Sequence, residues 1–481
     1  MPPLGPHHLT SISISPLLKS LVGSNHTEEK DVVAAKILVR QGDLSDAQIA
    51  LFLGLLKVRG HGLKGPEIAL FDQLINLVPS PQKTIVSIAP LLRKLLERVE
   101  VHSENIAHAI GLMLEDRLPT THGALLLGLL AFTGLDKDPV VLVQSAGKML
   151  AAAKRPDRAD LLKAIHKSSN YRGQYCGGLC DIVGTGGDGH STYNVSTTAS
   201  IIASSHLLLS KHGNRASSST SGSADLLEAI RPNGPKIEAI KSDNLPAIYQ
   251  HSNYAFLFAP NFHPGMKHVA ALRKDLGIRT IFNVLGPLVN PVEDCIEARI
   301  VGVAEKRLGP VFAEALRLSG AKKAMVVCGA ENLDEISCAG KTFCWRLFDH
   351  NNAVRIDEFE LEPADFGLPS HPLSEVAGGK LPRENASILA NLLENKLQRD
   401  DPVLHFVLIN TAALFAIAGI CEDANDSQCA IANGAIEETV RERGPGGQRW
   451  KEGVRLARDA IERRLAIDSF RHFIDATHTA I

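Results

Sequence analysis

The chain has 481 residues, 44% hydrophobic and 22% charged, and its 51 basic and 53 acidic side chains leave a net charge of −2. That length accommodates about two to four domains, and that composition excludes wholesale disorder. Near-neutrality removes a bulk electrostatic case for nucleic-acid binding, and the richest apolar run, Ala124–Phe132, spans nine residues, well short of the roughly 20 that a membrane helix needs.

The N-terminus has no Lys or Arg before Lys19. It lacks the apolar core of a secretory signal and the Arg-rich face of a presequence. Residues 1–170 read as helical. Ser45-Asp46-Ala47-Gln48 has the form of a capping box, in which the Gln reaches back to the cap. Ile49, Phe52, Leu53 and Leu56 follow at helical spacing, and Arg59-Gly60 ends the element. This region also repeats. Ser13-Ile14-Ser15-Pro16-Leu17-Leu18-Lys19 recurs 74 residues later as Ser87-Ile88-Ala89-Pro90-Leu91-Leu92-Arg93. The same ungapped shift maps Leu21 to Leu95, Ala35 to Ala109, Leu44 to Leu118, Gly54-Leu55-Leu56 to Gly128-Leu129-Leu130, and Gly60 to Gly134. A generic amphipathic match recovers some leucine pairs, but not the start motif and both glycines in one register. We therefore expect an extra helical unit over 1–85, duplicating the helical domain at 86–170. Two copies are too few for a solenoid.

From about residue 175 short β-branched stretches alternate with helical ones, the pattern of an α/β domain over 171–481. Asp181–Val183 reads as a strand, as do Ala324–Cys328 and the end of Cys295–Val303, while Val403–Phe415 reads as a buried helix. Eight cysteines are too few for a disulfide scaffold. Cys176 and Cys180 are separated by three residues, and no second close pair completes a zinc set. Reduced, mostly buried thiols in a cytoplasmic protein are expected.

Four clusters carry chemistry. In the first, a strand runs into Gly184-Thr185-Gly186-Gly187-Asp188, then Thr192, Asn194, Val195, Ser196 and a helix read from Thr197. Close glycines let backbone amides approach an anion, and Ser196 and Thr197 stand where a helix N-terminus binds phosphate. The spacing is neither that of the dinucleotide fingerprint nor that of Walker A. In the second, a strand read as Leu207–Leu209 delivers Lys211, His212, Asn214 and the hydroxyls of Ser217, Ser218, Ser219 and Ser223 into a loop. Taken alone, this is an ordinary serine-rich surface. The third spreads Pro260, His263, Arg273 and Gly286 through an aromatic and apolar stretch. A planar ring bearing a carboxylate suits it, with guanidinium on the carboxylate, although an isolated His or Arg is more often structural. The fourth is Asn332-Leu333-Asp334-Glu335, a carboxylate pair suited to a hard cation such as Mg²⁺ but also common on surfaces.

Together Gly-Thr-Gly-Gly-Asp, Asn-Val-Ser-Thr, Lys211-His212-Gly213-Asn214-Arg215-Ala216, Ser221-Gly222-Ser223-Ala224-Asp225, Arg279-Thr280 through Asn290-Pro291, and Leu-Asp-Glu occur in one order. In this the chain resembles the anthranilate phosphoribosyltransferase family of tryptophan biosynthesis. Phe366-Gly367-Leu368, Lys380-Leu381-Pro382-Arg383-Glu384-Asn385-Ala386 and Trp450-Lys451-Glu452-Gly453 look like its fungal form. The resemblance covers about residues 86–480. It implies a small helical domain joined to an α/β domain of the nucleoside phosphorylase/phosphoribosyltransferase type, a homodimer through the helical domain, and a site between the domains. It implies transfer of phosphoribose from phosphoribosyl pyrophosphate to the amine of anthranilate, with Mg²⁺. Gly184, Gly187 and Asp188 would then bind pyrophosphate. Thr192, Asn194, Ser196, Thr197, Lys211, Ser217, Ser218, Ser219 and Ser223 would hold phosphates and ribose. Ser196, Asp334 and Glu335 would hold Mg²⁺. His212, Asn214, Pro260, His263, Arg273 and Gly286 would line the anthranilate path, and Lys211 and His212 would be catalytic.

The chain departs from that family in places. Asn194 and Lys211 are one residue closer than usual, with Ser205-His206-Leu207 in place of a glycine turn. Arg231-Pro232-Asn233-Gly234-Pro235 interrupts the segment after Ser-Ala-Asp, and Asn332 replaces a glycine before Leu-Asp-Glu. Two alternatives remain: a pyrimidine nucleoside phosphorylase-like enzyme, whose loop pattern is not found here, and an inactive paralogue serving as an assembly partner.

Overall fold

The structure is a computed structural model that describes residues 13–23, 29–76, 84–168, 171–216, 220–351, 353–377, 381–422, 431–432, 435–436 and 439–479. The chain divides into a helical unit, residues up to 152 together with 265–284, and an α/β unit, 153–264 with 285–481. This is not the single cut near residue 170 that the change of texture marks. The Arg158–Ser168 helix goes with the α/β unit, while the stretch 265–284 folds with the helices.

In the helical unit the repeat becomes a repeat of helices. α1 (Ser15–Val22), α2 (Glu29–Gln41), α3 (Asp46–Val58) and α4 (Gly65–Ile75) are followed, 74 residues on, by α5 (Ala89–Leu96), α6 (Ser103–Leu114), α7 (Thr120–Thr133) and α8 (Pro139–Ala151). α3 starts on the expected capping box: Ser45 Oγ accepts from Gln48 N at 3.1 Å, and Gln48 Oε1 accepts from Ser45 N at 3.2 Å. α3 and α7 are each followed by a left-handed glycine, Gly60 at φ +78° and Gly134 at φ +79°. Both helices are apolar on nearly every side, and such helices are stable only when surrounded. They satisfy this by burying residues 49–56 of α3 and 121–130 of α7. The helices meet through their glycines. A Cβ on Gly128 would run into Leu51, and a Cβ on Gly54 would run into Leu125. The Met266–Leu276 helix packs on α1, α3, α6 and α7. It is tied to the α3 cap, where Ser45 Oγ donates to Asp275 Oδ2 at 2.5 Å and Gln48 Nε2 donates to Asp275 O at 2.9 Å.

The α/β unit is built on a seven-stranded sheet with the order β3-β2-β1-β4-β5-β6-β7. The strands are β1 Leu179–Gly184, β2 Leu208–Gly213, β3 Tyr254–Phe258, β4 Ile296–Gly302, β5 Lys323–Gly329, β6 Thr342–His350 and β7 Ala353–Leu361. The first five pair in parallel and the last two are antiparallel. The Val195–Ala203 helix packs on β1 and β2, and Pro402–Ala418 packs on β4 and β5 beside it. The latter is buried from Leu404 to Ala418. Asp401 caps its start, and Gly419 at φ +95° ends it.

Two local expectations shift. The helix read from Thr197 begins at Val195, so Ser196 lies inside its first turn. β2 does not stop at Leu209 but continues to Gly213. Lys211 and His212 are poor strand formers on intrinsic grounds. They are held in the sheet by pairing with Phe256 and Leu257 of β3, a tertiary override of local preference.

Gly128→Val should destabilise the helical unit by about 1–3 kcal/mol, the usual range for overpacking, because the displaced Leu51 is itself fully buried. Urea unfolding of the full chain tests this, and an unchanged midpoint would show that the α3/α7 contact is loose.

Candidate active site

Strand order runs outward in both directions from the β1–β4 pair. Open parallel sheets hold ligands beyond the carboxyl ends of strands at such a switch point. There Gly184 of β1 pairs with Gly302 of β4, and the Asp334 loop after β5 lies over both. A Cβ on Gly184 would strike the Asp334 carboxylate, and one on Gly302 the Asp334 backbone. The chain then turns through Gly186 (φ +68°) and Gly187 (φ +76°), conformations that L side chains rarely adopt. Gly186 N donates to Asp334 Oδ2 at 2.6 Å.

Beneath this loop lies Lys211, 2% exposed. Its Nζ donates to Ile182 O at 2.5 Å and to Ser196 Oγ at 3.4 Å. Burial lowers its pKa, and the charges of Asp181, Glu335 and Asp334 oppose that. Burial raises the Asp181 carboxyl, while Lys211 and a hydrogen bond from Asn290 pull it back. The ammonium thus braces the end of β1 against the start of the Val195–Ala203 helix, where the sequence reading has it reach out to phosphate.

Asp188, Asp334 and Glu335 act on one another nearby. Asp334 is pushed up to about 7, by burial first and then by the Asp188 carboxylate facing it. Glu335 is raised well above the ordinary range by burial and by Asp334 and Asp188, although it accepts a hydrogen bond from the Ser196 amide. Glu335 Oε2 is buried without a partner. Two carboxyls that resist ionising together, one with an orphaned oxygen, fit a divalent hard cation. Among the described residues no three His, Cys, Asp or Glu side chains converge in a metal-binding set. An ion here would therefore complete its shell with phosphate oxygens and water, as Mg²⁺ commonly does.

Asn194 is the hub of the neighbouring loops. Its Nδ2 donates to Ser221 O at 2.9 Å, and its Oδ1 accepts from Ser221 Oγ and Asn385 Nδ2, both at 3.1 Å. Asp225 Oδ2 accepts from Ala216 N at 2.8 Å and Gly222 N at 2.9 Å, closing the serine loop at its base. Ser217, Ser218 and Ser219 lie outside the described residues. Ser223 opens the Ser223–Glu228 helix, and Asn214, which is exposed, leads into the serine loop. Thr192 bridges to Ala377, and Thr197 is buried.

On β2 beside Lys211, His212 lies 5.2 Å from the His263 ring, centroid to centroid. His263 Nε2 donates to Val289 O at 2.9 Å, and burial depresses its pKa to about 4. Burial and the adjacent His263 hold His212 well below the ordinary imidazole range. His212 bonds the Gly286 backbone, and its Nε2 is buried without a partner. The neutral ring therefore offers a bare acceptor. Gly286 and Pro260 are exposed nearby in sequence. Arg273 stands on the Met266–Leu276 helix of the helical unit, half-buried, its pKa lowered by burial alone.

The departures from the family pattern find local accommodation. Asn332 adopts φ +65°, the conformation a glycine would serve, which Asn tolerates better than most residues. In the shortened turn His206 bonds Ser205 Oγ at 2.7 Å and packs edge-on against Phe415. Several supporting residues escape a reading of motifs. Asn290 Nδ2 donates to Asp181 Oδ2 at 3.0 Å and to Ser210 O at 2.9 Å. Asn410, midway along a buried helix, holds both backbone groups of Ile336, directly after Glu335. A polar Asn in the middle of a largely apolar helix was the available signal.

A family model described as "Glycosyl transferase family, a/b domain" matches residues 177–464. The anthranilate phosphoribosyltransferase of Schizosaccharomyces pombe is 46% identical over 260 residues, 53% of this chain and 71% of that one. That of Saccharomyces cerevisiae is 38% identical over 304 residues, 62% and 72% of the two chains. A solved structure of the Saccharomyces cerevisiae enzyme in complex with PRPP and Mg superposes with a TM-score of 0.64 at 31% identity, covering 81% of this chain and 97% of that one. The Thermus thermophilus enzyme gives 0.63 at 30%, covering 80% and 99%.

A histidine with a depressed native pKa lends stability in full above its unfolded value near 6.5, and that stability is lost as pH falls toward the native value. For His263, shifted to about 4, this amounts to about 3 kcal/mol. His263→Gln should therefore flatten the decline in unfolding midpoint between pH 6.5 and 4, whatever it does to the midpoint at pH 7. Parallel pH profiles for the two proteins would contradict the assignment.

Proposed function

The chain belongs to the anthranilate phosphoribosyltransferase family, and we propose that its α/β unit moves 5-phosphoribose from phosphoribosyl pyrophosphate to the amine of anthranilate, releasing pyrophosphate. The observation that carries this reading is the raised carboxyl pair Asp334 and Glu335, set against the Gly184–Asp188 loop at the sheet's switch point. That arrangement takes a cation-bound polyphosphate rather than a bare one. Mg²⁺, when bound, neutralises charge growing on the departing pyrophosphate.

The residues of the chain do the rest. Asp334 and Glu335 would hold the cation with Ser196, and Gly184, Gly187 and Asp188 would receive the pyrophosphate end. The helix start at Ser196 and Thr197, with Thr192, Asn194 and the serines to Ser223, would hold phosphate and ribose. An arylamine is neutral at pH 7, so no strong base is needed before attack. The difficulty lies in parting ribose C1 from pyrophosphate, and positioning with charge stabilisation meets it. After attack the nitrogen carries a strongly acidic proton, for which a weak base suffices. His212 Nε2, bare and neutral, is suited to accept it. Asn214, Pro260, His263, Gly286 and Arg273 are assigned to anthranilate, with the Arg273 guanidinium on its carboxylate. Among the described residues, no helix is long and apolar enough to cross a membrane. Seven described free thiols, five of them buried, accord with the reducing cytoplasm.

Purified protein with Mg²⁺, phosphoribosyl pyrophosphate and anthranilate should consume anthranilate fluorescence, and chelation should stop it. A flat trace would return the assembly-partner alternative. Arg273→Ala should raise KM for anthranilate at least tenfold while moving KM for phosphoribosyl pyrophosphate little. An equal loss for both substrates would place Arg273 elsewhere.

A further inference from the structure

Residues 51 and 54 of α3 correspond, 74 positions on, to 125 and 128 of α7. The contacts between the two helices are crossed in the same way. Gly54 faces Leu125, and Leu51 faces Gly128. Beside them α1 packs on α7 and α5 on α3. A relation in which i meets j and the counterpart of j meets the counterpart of i is the signature of an isologous interface, normally made by two copies of one chain. Here both copies belong to the same chain.

We propose that this polypeptide carries its own dimer partner: the first helical copy occupies the face of α7 on which a second chain would otherwise sit, and the protein is a monomer in solution. The sequence resemblance implied a homodimer through the helical domain, and the geometry assigns that interface to the chain itself.

Three observations support the assignment. The shared face is fully covered, with Leu51, Phe52, Leu55, Leu125 and Leu129 all buried. Side-chain contacts also tie the two copies to each other. His122 Nε2 donates to Ile75 O at 2.8 Å, Arg98 donates to Val58 O at 3.0 Å, and the Arg59 guanidinium lies over the Phe132 ring. The 74-residue counterpart of Arg59 is Thr133 and that of Phe132 is Val58, so the Arg59–Phe132 contact needs one copy of each kind. Finally, the solved relatives are covered almost entirely, yet about a fifth of this chain has no counterpart in them, an amount of chain equal to about one copy.

The test uses the full chain. Sedimentation should give a single species at 51.8 kDa, unchanged over a wide concentration range. A concentration-dependent species of twice that mass overturns the proposal. Independently, the double variant Leu51→Cys/Gly128→Cys should oxidise within the chain. It should lose two thiols and keep the mass of one chain on a non-reducing denaturing gel. A cross-linked band of doubled mass, or a folded and active variant whose new thiols stay free, overturns it as well.

Discussion

The catalytic end of the sheet is organised around one buried ammonium. Lys211 Nζ sits between the carbonyl of Ile182 and the hydroxyl of Ser196, within the field of Asp181 below and of Asp334 and Glu335 above. A lysine is tolerated in such a place only when paired and hydrogen-bonded. Its partners are therefore fixed as strictly as it is: near the end of β1 Ile182 must offer its carbonyl, and in the first turn of the helix Ser196 must accept. Removing the cation would leave a group of carboxylates facing one another across the glycine loop. The carboxyls show that tension already, in the raised pKa of Asp334 and Glu335. Carboxylates outnumber the ammonium here, an imbalance that a divalent cation would offset.

The helical unit obeys a different constraint, the need to cover two apolar helices. α3 and α7 cannot each face water, and each carries a glycine where the other carries a leucine. The two repeated units present surfaces that are complementary in this way. The closed pair then serves as a platform for the Met266–Leu276 helix, which bears Arg273.

What the sequence made legible was whatever local chemistry announces. The Ser45 cap, the left-handed glycines, β1 running into its glycine loop, and the Asp334–Glu335 pair are all written in adjacent residues. The repeat was legible because its register survived without a gap. Hidden features depended on partners distant in the chain. That Lys211 is buried in a strand paired to Phe256 is shown only by the sheet. Gly302 matters because the Asp334 backbone crosses it, and Asn385 because Asn194 needs a donor; neither sits in a pattern that names its role. The same holds for 265–284, which is surrounded in sequence by α/β residues yet packs among helices.

If a cation held by Asp334 and Glu335 carries the phosphorylated donor, with Lys211 bracing Ile182 and Ser196, donor binding depends on that cation. Calorimetric titration of phosphoribosyl pyrophosphate into the protein, with Mg²⁺ and again with chelator, tests it most directly. The account predicts binding with Mg²⁺ and its loss by at least a hundredfold without, since a bare polyphosphate would meet carboxylates. Equal affinity under both conditions would contradict it and would make Lys211 and the loop amides the true anion site.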